Sequence, residues 1–315
     1  MSGLISMRSY VDIRISIFVN LFQRRNMMTL IKQHVWFTVI LMLGLGLAHI
    51  GSGTALAEKA DAELKAAEKA SKTGPVIGPR AEIVLKAMSD YMKSVKQFSF
   101  RGKISFDDVL PTGQKIQYSA ENQVAIRRPD RVYAEMQGDG VKKRFWYDGE
   151  KATLVDGGLG VYATVDDVPK ELGALMDYLM EKYNFAPPLA DLVYPDIYEA
   201  LIGNVQFGIY VGLHDVEGIR CHHLAFVSKY IDWQIWIEDG LQMVPRKVVI
   251  TYKALPESPQ YEAILTDWDL NARFSDILFD VEMAALANLE KIEFLTRVEP
   301  VEKENEKEAG HEADK

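Results

Sequence analysis

Cys221-His222-His223 is the densest run of chemistry-bearing side chains in this sequence. Thiolate and imidazole both bind soft and borderline metals, and a thiol beside an imidazole is also how a nucleophile meets its base. In an extended strand Cys221 and His223 face one side and His222 the other, so at most two of the three converge. The remaining histidines, His34, His49, His214 and His311, fall in an N-terminal apolar segment, a turn and the C-terminal tail. The cluster therefore reads as a small buried cysteine in a strand, and no metal site is expected. Paired carboxylates come next, because general acid–base catalysis needs a carboxyl group whose pKa a cleft has shifted. Asp267 and Asp269 share a face at a strand end around Trp268, and Asp166-Asp167 adjoin a predicted helix. A strand terminus accounts for Asp269 and a helix cap for Asp167. No G-x-S-x-G, H-E-x-x-H or G-x-x-x-x-G-K-[ST] pattern occurs. The expectation is a protein that is not an enzyme and carries no cofactor.

Two further sets bear on binding. Arg127, Arg128 and Arg131 bracket Pro129 at a turn. Arginine matches the geometry of phosphate and carboxylate, so Arg128 and Arg131 are candidate headgroup ligands, with a solvated turn as the ordinary alternative. Leu172, Leu175, Met176, Leu179 and Met180, followed by Tyr183, recur at spacings of three and four. That is one apolar helix stripe, either plain core or a lid over an apolar ligand, for which methionine is an adaptable surface.

The elements that position these residues follow from periodicity. A helix opens the folded unit after Pro79, with Val84, Leu85, Met88, Tyr91, Met92 and Val95 on its stripe. Period two then takes over, predicting strands at about 98–107, 115–127, 131–137, 142–148, 151–155 and 160–164. Pro111-Thr112-Gly113, Pro129-Asp130, Asp139-Gly140, Asp148-Gly149 and Gly157-Gly158 supply the turns. A helix over about Pro169 to Tyr183, with Asp167 as its cap, and a shorter one after Pro195 interrupt the series. Strands resume at 205–212, 219–228, 231–238, 244–253 and 260–270, with a last short one at 290–294. Short strands joined by tight turns make an antiparallel meander, since parallel neighbours need long crossovers. Ile231, Trp233, Ile235 and Ile237 share a face. So do Val248, Ile250 and Tyr252, and likewise Tyr261, Ala263 and Leu265. One face of the sheet is therefore strongly apolar; Trp233, Ile235, Val248, Ile250 and Tyr252 lie on it and become the candidate lining of an apolar cavity under the family resemblance described below.

The ends read differently. Lys32, an apolar run from Val35 to Ile50 interrupted by Gly44, Gly46 and His49, and Ala55-Leu56-Ala57 describe a signal peptide over 1–57, cleaved after Ala57 by recognition of Ala55 and Ala57. Met27 and Met28 precede the run, so translation starting at Met28 is an alternative. A retained anchor is the competing reading, although the run is shorter than the ~20 residues of a bilayer span. No cysteine lies near the cleavage site, so lipid anchoring there is excluded. Residues 58–79 read as a flexible linker and 295–315 as a disordered charged tail. The N-terminal 57 residues carry a net +4 (Arg8, Arg14, Arg24, Arg25 and Lys32 against Asp12), so a chain of net charge −9 becomes −13 on their removal. Such acidity argues against nucleic acid and against docking to anionic headgroups. A lone cysteine allows no internal disulfide, so stability must come from a packed core.

With Arg128-Pro129-Asp130-Arg131-Val132, Tyr147-Asp148-Gly149-Glu150-Lys151 and Gly160-Val161-Tyr162, this order of elements resembles the LolA/LolB-like periplasmic lipoprotein-carrier superfamily. From about Ala81 to Phe294 the chain more closely resembles a family of predicted periplasmic proteins of unknown function. That match rests on Leu224-Ala225-Phe226, Asp232-Trp233-Gln234-Ile235-Trp236-Ile237 and Pro245-Arg246-Lys247. The resemblance implies an α+β, mainly antiparallel fold: a curved, incomplete β-barrel whose concave face helices cover over residues 80–294. It further implies an exported periplasmic binding protein for an acyl chain or other apolar ligand, working as a monomer with the envelope membrane or lipoprotein machinery as partner. The alternative is a periplasmic signalling or scaffold protein that fills its cavity and binds proteins. The carriers' inward arginine and the acceptor's exposed leucine loop find no aligned counterpart here.

Overall fold

The computed structural model describes residues 76–294, apart from 184 and 186. The signal segment with Ala55 and Ala57, most of the linker and the tail lie outside the described residues. Alternating runs become strands and three-four spacings become helices, in the order β1 (Val76–Ile77), α1 (Pro79–Ser94), β2 (Gln97–Val109), β3 (Lys115–Arg127), β4 (Arg131–Gly138), β5 (Val141–Tyr147), β6 (Lys151–Asp156) and β7 (Val161–Asp166). An insertion follows, made of α2 (Leu172–Tyr183), a 3-10 turn (Ala190–Val193) and α3 (Ile197–Ile202). Then come β8 (Val205–Val216), β9 (Ile219–Ser228), β10 (Asp232–Glu238), β11 (Pro245–Thr251), β12 (Gln260–Asp269), a 3-10 turn (Asp276–Leu278), α4 (Met283–Leu286) and β13 (Glu290–Lys291).

All thirteen strands join one open, curved sheet in the order β1-β8-β9-β10-β11-β12-β2-β3-β4-β5-β6-β7-β13. The two meanders, β2–β7 and β8–β12, meet where β12 pairs with β2 (Tyr261 opposite Phe106, Ala263 opposite Ile104). Every pairing is antiparallel except at the two margins, where β1 lies parallel to β8 and β13 parallel to β7. This is the α+β half-barrel expected from the sequence. Its concave face is lined by Phe98, Phe100, Ile104, Ile126, Leu224, Phe226, Trp233, Ile235, Ile250, Tyr261 and Leu265, all at most 5% exposed. Over them pack Leu85, Met88 and Met92 of α1 and the stripe of α2, forming one continuous apolar cluster. A Cβ on Gly208 would sit 2.6 Å from the Phe226 ring, so a bare backbone in β8 is what lets Phe226 lie flat on Trp233 at 4.1 Å.

The structure corrects several boundaries. Val76-Ile77, read as linker, makes backbone pairs with Phe207 and Gly208. Helix α2 starts at Leu172 rather than Pro169, five residues past Asp167, so Asp167 does not cap it. Asp167 instead sits at φ 55° in the loop, and the true acidic cap is Asp196, whose Oδ1 accepts from Glu199 N at 3.1 Å at the start of α3. Strand β8 runs on to Val216, so His214 lies in a strand and not a turn. Asp267 and Asp269 do not form a pair on a regular strand, because the register with β2 shifts between Thr266 and Asp269 and Asp267 sits at φ 51°. The final strand shrinks to Glu290–Lys291.

Candidate functional site

The helical insertion is seated by the turn between β3 and β4. Leu172 N, the first residue of α2, donates to Pro129 O at 2.9 Å. The neighbouring Arg128 turns inward and donates from Nη1 to Val193 O at 2.7 Å and from Nη2 to Leu192 O at 3.0 Å, holding the 3-10 turn. Its guanidinium carbon lies over the Phe98 ring, 5.6 Å from the ring centre. No carboxylate appears among its hydrogen-bond partners, and Nε has no partner among the described residues. Burial draws the Arg128 pKa below its ordinary value, yet guanidinium stays charged across the accessible range. A half-buried cation with no counter-ion among the described residues, held by two carbonyls and the Phe98 ring, costs desolvation that apolar side chains would avoid.

The turn between β5 and β6 completes the seat. Tyr147 OH donates to Pro169 O at 2.6 Å, fixing the chain that leads into α2. Asp148 Oδ1 accepts from Glu150 N and Lys151 N at 2.8 and 2.7 Å. Gly149, at φ 91°, lies where a Cβ would come within 2.3 Å of Arg131 Nη1. Arg131 itself pairs with Asp130 at 2.9 Å and so braces the turn rather than reaching the concave face. Arg127 points elsewhere, to Phe274 O at 3.1 Å and to Asp276, whose carboxyl is held below the usual carboxylate range by that hydrogen bond. The reading of these arginines as a solvated turn is thereby corrected: all three are engaged. The two ends of the β4–β5 hairpin, Arg128–Val132 and Tyr147–Lys151, thus come together as the root of the insertion. Pairing of Val132 with Tyr147 puts them side by side.

The predicted lining residues do converge. Leu172, Leu175, Met176 and Leu179 are buried against the concave sheet, with Trp233, Ile235, Val248, Ile250 and Tyr252 in the same cluster, while Met180 packs at its margin. In this arrangement they are at most 7% exposed and fill the interior themselves. The face is not purely apolar. Ser228 Oγ, Trp233 Nε1 and Asn122 Oδ1 are buried with no hydrogen-bond partner among the described residues. Sequence patterning showed the stripe. It gave no sign that Arg128 turns inward, because an arginine beside a Pro-Asp turn reads as solvent-facing.

The Cys221–His223 run splits as strand geometry requires. On one side, His214 and His223 meet Nδ1 to Nδ1 at 3.0 Å, and Gln234 Oε1 lies 2.9 Å from His223 Nε2. Trp236 stacks on the His223 ring at 3.9 Å. Burial lowers the His223 pKa, with smaller contributions in the same direction from His214 and Lys247. On the other side, His222 bonds Tyr210 OH through Nδ1 and Asp239 through Nε2. Burial raises the Cys221 thiol to about 11, which leaves it protonated and unreactive. Among the described residues, no three His, Cys, Asp or Glu side chains gather as a metal site, and no helix is long and apolar enough to cross a membrane.

A comparison with the curated proteins finds no match. Among solved structures the chain is similar to LprF from Mycobacterium bovis (14% identity, 61% of this chain and 94% of that one, TM-score 0.34). It is also similar to a LolA superfamily protein from Nitrosomonas europaea (9% identity, 62% and 97%, TM-score 0.33). A third is an uncharacterized conserved protein from Thermus thermophilus (6% identity, 66% and 97%, TM-score 0.38). A family model matches residues 81–295, the span of the half-barrel from the first turn of α1 to just past β13. The chain belongs to that family, the predicted periplasmic proteins of DUF2092.

Proposed function

We propose that this periplasmic protein binds an acyl chain or similar apolar molecule between the concave sheet and the helical insertion, which opens as a lid. The observation that carries the reading is Arg128: a half-buried guanidinium, with no carboxylate partner among the described residues, ties the 3-10 turn to the sheet by two hydrogen bonds. A purely structural closure is more cheaply made with apolar side chains. A tie of two bonds is also one that binding energy can break. Each buried CH₂ contributes ~0.8 kcal/mol, so a chain of ~14 carbons offers about 11 kcal/mol before ordering costs. That exceeds the about 3–6 kcal/mol gross of two hydrogen bonds to a charged group. No residue is assigned to catalysis in this reading. Export by cleavage after Ala57 is part of it, and N-terminal sequencing of the secreted protein, expected to begin at Glu58, checks that step.

The packed interior favours a second reading, in which the cavity is permanently filled and the fold serves as a scaffold for protein partners. Titration with a fluorescent fatty acid separates the two. Uptake at micromolar concentration, accompanied by faster amide exchange in α2 and the 3-10 turn, supports the lid. No uptake, together with no lipid found by native mass spectrometry of protein taken from its own periplasm, leaves the scaffold.

A further inference from the structure

We propose that Ser228 and Trp233 form a polar subsite within the apolar concave face that receives an oxygen acceptor of the bound molecule, the neutral carbonyl of an acyl ester. The inference rests on the binding reading above and names the ligand's polar end. Trp233 lies opposite Phe226 in the β9–β10 pair, and Ser228 is two residues further along β9, so both side chains stand on the concave face as diagonal neighbours. The hairpin is pinned at this point by Ser228 N donating to Ile231 O at 2.9 Å. Ser228 is 3% exposed and Trp233 4%. Nevertheless, Ser228 Oγ and Trp233 Nε1 have no hydrogen-bond partner among the described residues. Buried polar atoms in native proteins nearly always have one. The indole cannot rotate away to find it, because its ring is stacked on Phe226 with the planes 17° apart.

The chemistry of the missing partner follows from the donors. Indole N–H only donates, and a serine hydroxyl donates as readily as it accepts, so the group that satisfies both is an acceptor, which excludes a cation. The concave residues around them include Ile250, opposite Trp233, Tyr252, two residues on and just past the end of β11, and Tyr261, opposite Ile250; none is charged. Of the neighbouring cations, Lys253 is engaged by Asp232 at 2.7 Å and Lys229 lies over the Tyr230 ring at 5.0 Å. An ionised carboxylate in such surroundings would be a buried charge without a partner, whereas a neutral carbonyl is not. Sites for small apolar ligands characteristically combine apolar walls with a few placed polar groups that fix orientation. Here those groups lie on β9 and β10, with Ser228 opposite Val205, where the chain leaves the insertion and enters β8.

The test compares methyl palmitate with hexadecane as competitors of a fluorescent fatty-acid probe bound to the wild-type chain, Ser228→Ala and Trp233→Phe, with melting curves to confirm that each variant is folded. Wild type should prefer the ester by about tenfold or more, the size of one well-made hydrogen bond. Each variant should reduce that preference several-fold, read as the ratio of ester to hexadecane affinity within the same variant, so that any change in apolar packing at Trp233 acts on both ligands and cancels. Equal affinity of wild type for ester and hydrocarbon overturns the subsite and leaves apolar binding standing. Ester preference unchanged in both variants also overturns it, assigning the two donors to an ordered water. Failure of wild type to bind probe or competitor removes the binding reading and this inference together.

Discussion

Arg128→Met keeps an apolar stem of similar length and removes the guanidinium, so it isolates the tie between the β3–β4 turn and the 3-10 turn. The two hydrogen bonds, at 2.7 and 3.0 Å, are each of a kind that contributes about 1.5–3 kcal/mol. Against that loss stands relief from half-burying a charge with no counter-ion among the described residues, which costs several kcal/mol. The two nearly cancel in global stability, and the expected change is within about 2 kcal/mol. For a domain of this size that amounts to a shift in Tm of no more than about 8 °C. Locally there is no cancellation, because Leu192 O and Val193 O lose their donors while the rest of the fold is untouched. Opening of the insertion should become easier by about 3–6 kcal/mol, at least a hundredfold in amide exchange. Exchange measured by mass spectrometry should therefore quicken at Leu192, Ala200 and Gly203, whose amides bond within the insertion, and stay unchanged at Leu224 and Ile235 in the sheet. Fatty-acid uptake should be faster. Uniform acceleration through sheet and insertion, or none in either, would refute the role given to Arg128.

The other expectations are narrower. Met176→Glu places an unpaired charge at a 5% exposed site and should destabilise by 3 kcal/mol or more, on the order seen for buried ions. Leu175→Met nearly conserves volume, should cost under ~1.5 kcal/mol, and in a lid should alter probe affinity while melting stays close to wild type. Cys221, with its pKa raised to about 11 from 9.0, should react with a thiol reagent at pH 8 about a hundredfold more slowly in the folded than in the unfolded chain. Similar rates in both states would contradict its burial. His223, whose pKa burial depresses, stays neutral in the fold while the unfolded chain takes up a proton as pH falls through about 6.5. Its contribution to stability is present above that value and lost as pH falls through the depressed one. Its NMR titration midpoint should lie below 6.5, and a midpoint above it would contradict the depression.

Much of this protein was legible in one dimension because a half-barrel built from meanders writes its pattern locally. Turn residues at short intervals marked the hairpins. Alternation in Ile231–Ile237 and Val248–Tyr252 assigned the buried face, and three-four spacing in Leu172–Tyr183 identified the stripe that packs on it. Those patterns survive because each depends only on the geometry of its own segment. What tertiary structure decided lay between segments. Val76–Ile77 has too few residues to announce a strand and becomes one by lying against β8. His214 and His223, nine residues apart, are brought together by the register of β8 and β9, which spacing within one strand cannot show. Arg128 looked solvent-facing because its neighbours Pro129 and Asp130 make a turn. Its guanidinium turns inward only because the insertion, more than sixty residues later, offers two carbonyls where water would otherwise be. Likewise Trp233 was recognisable as core from its period, but that its Nε1 has no partner among the described residues depends on Phe226 fixing the ring and on which segments pack across from it. Periodicity reports whether a side chain is buried. Whether its polar atoms find partners there is settled by segments distant in sequence, and only the folded chain brings those together.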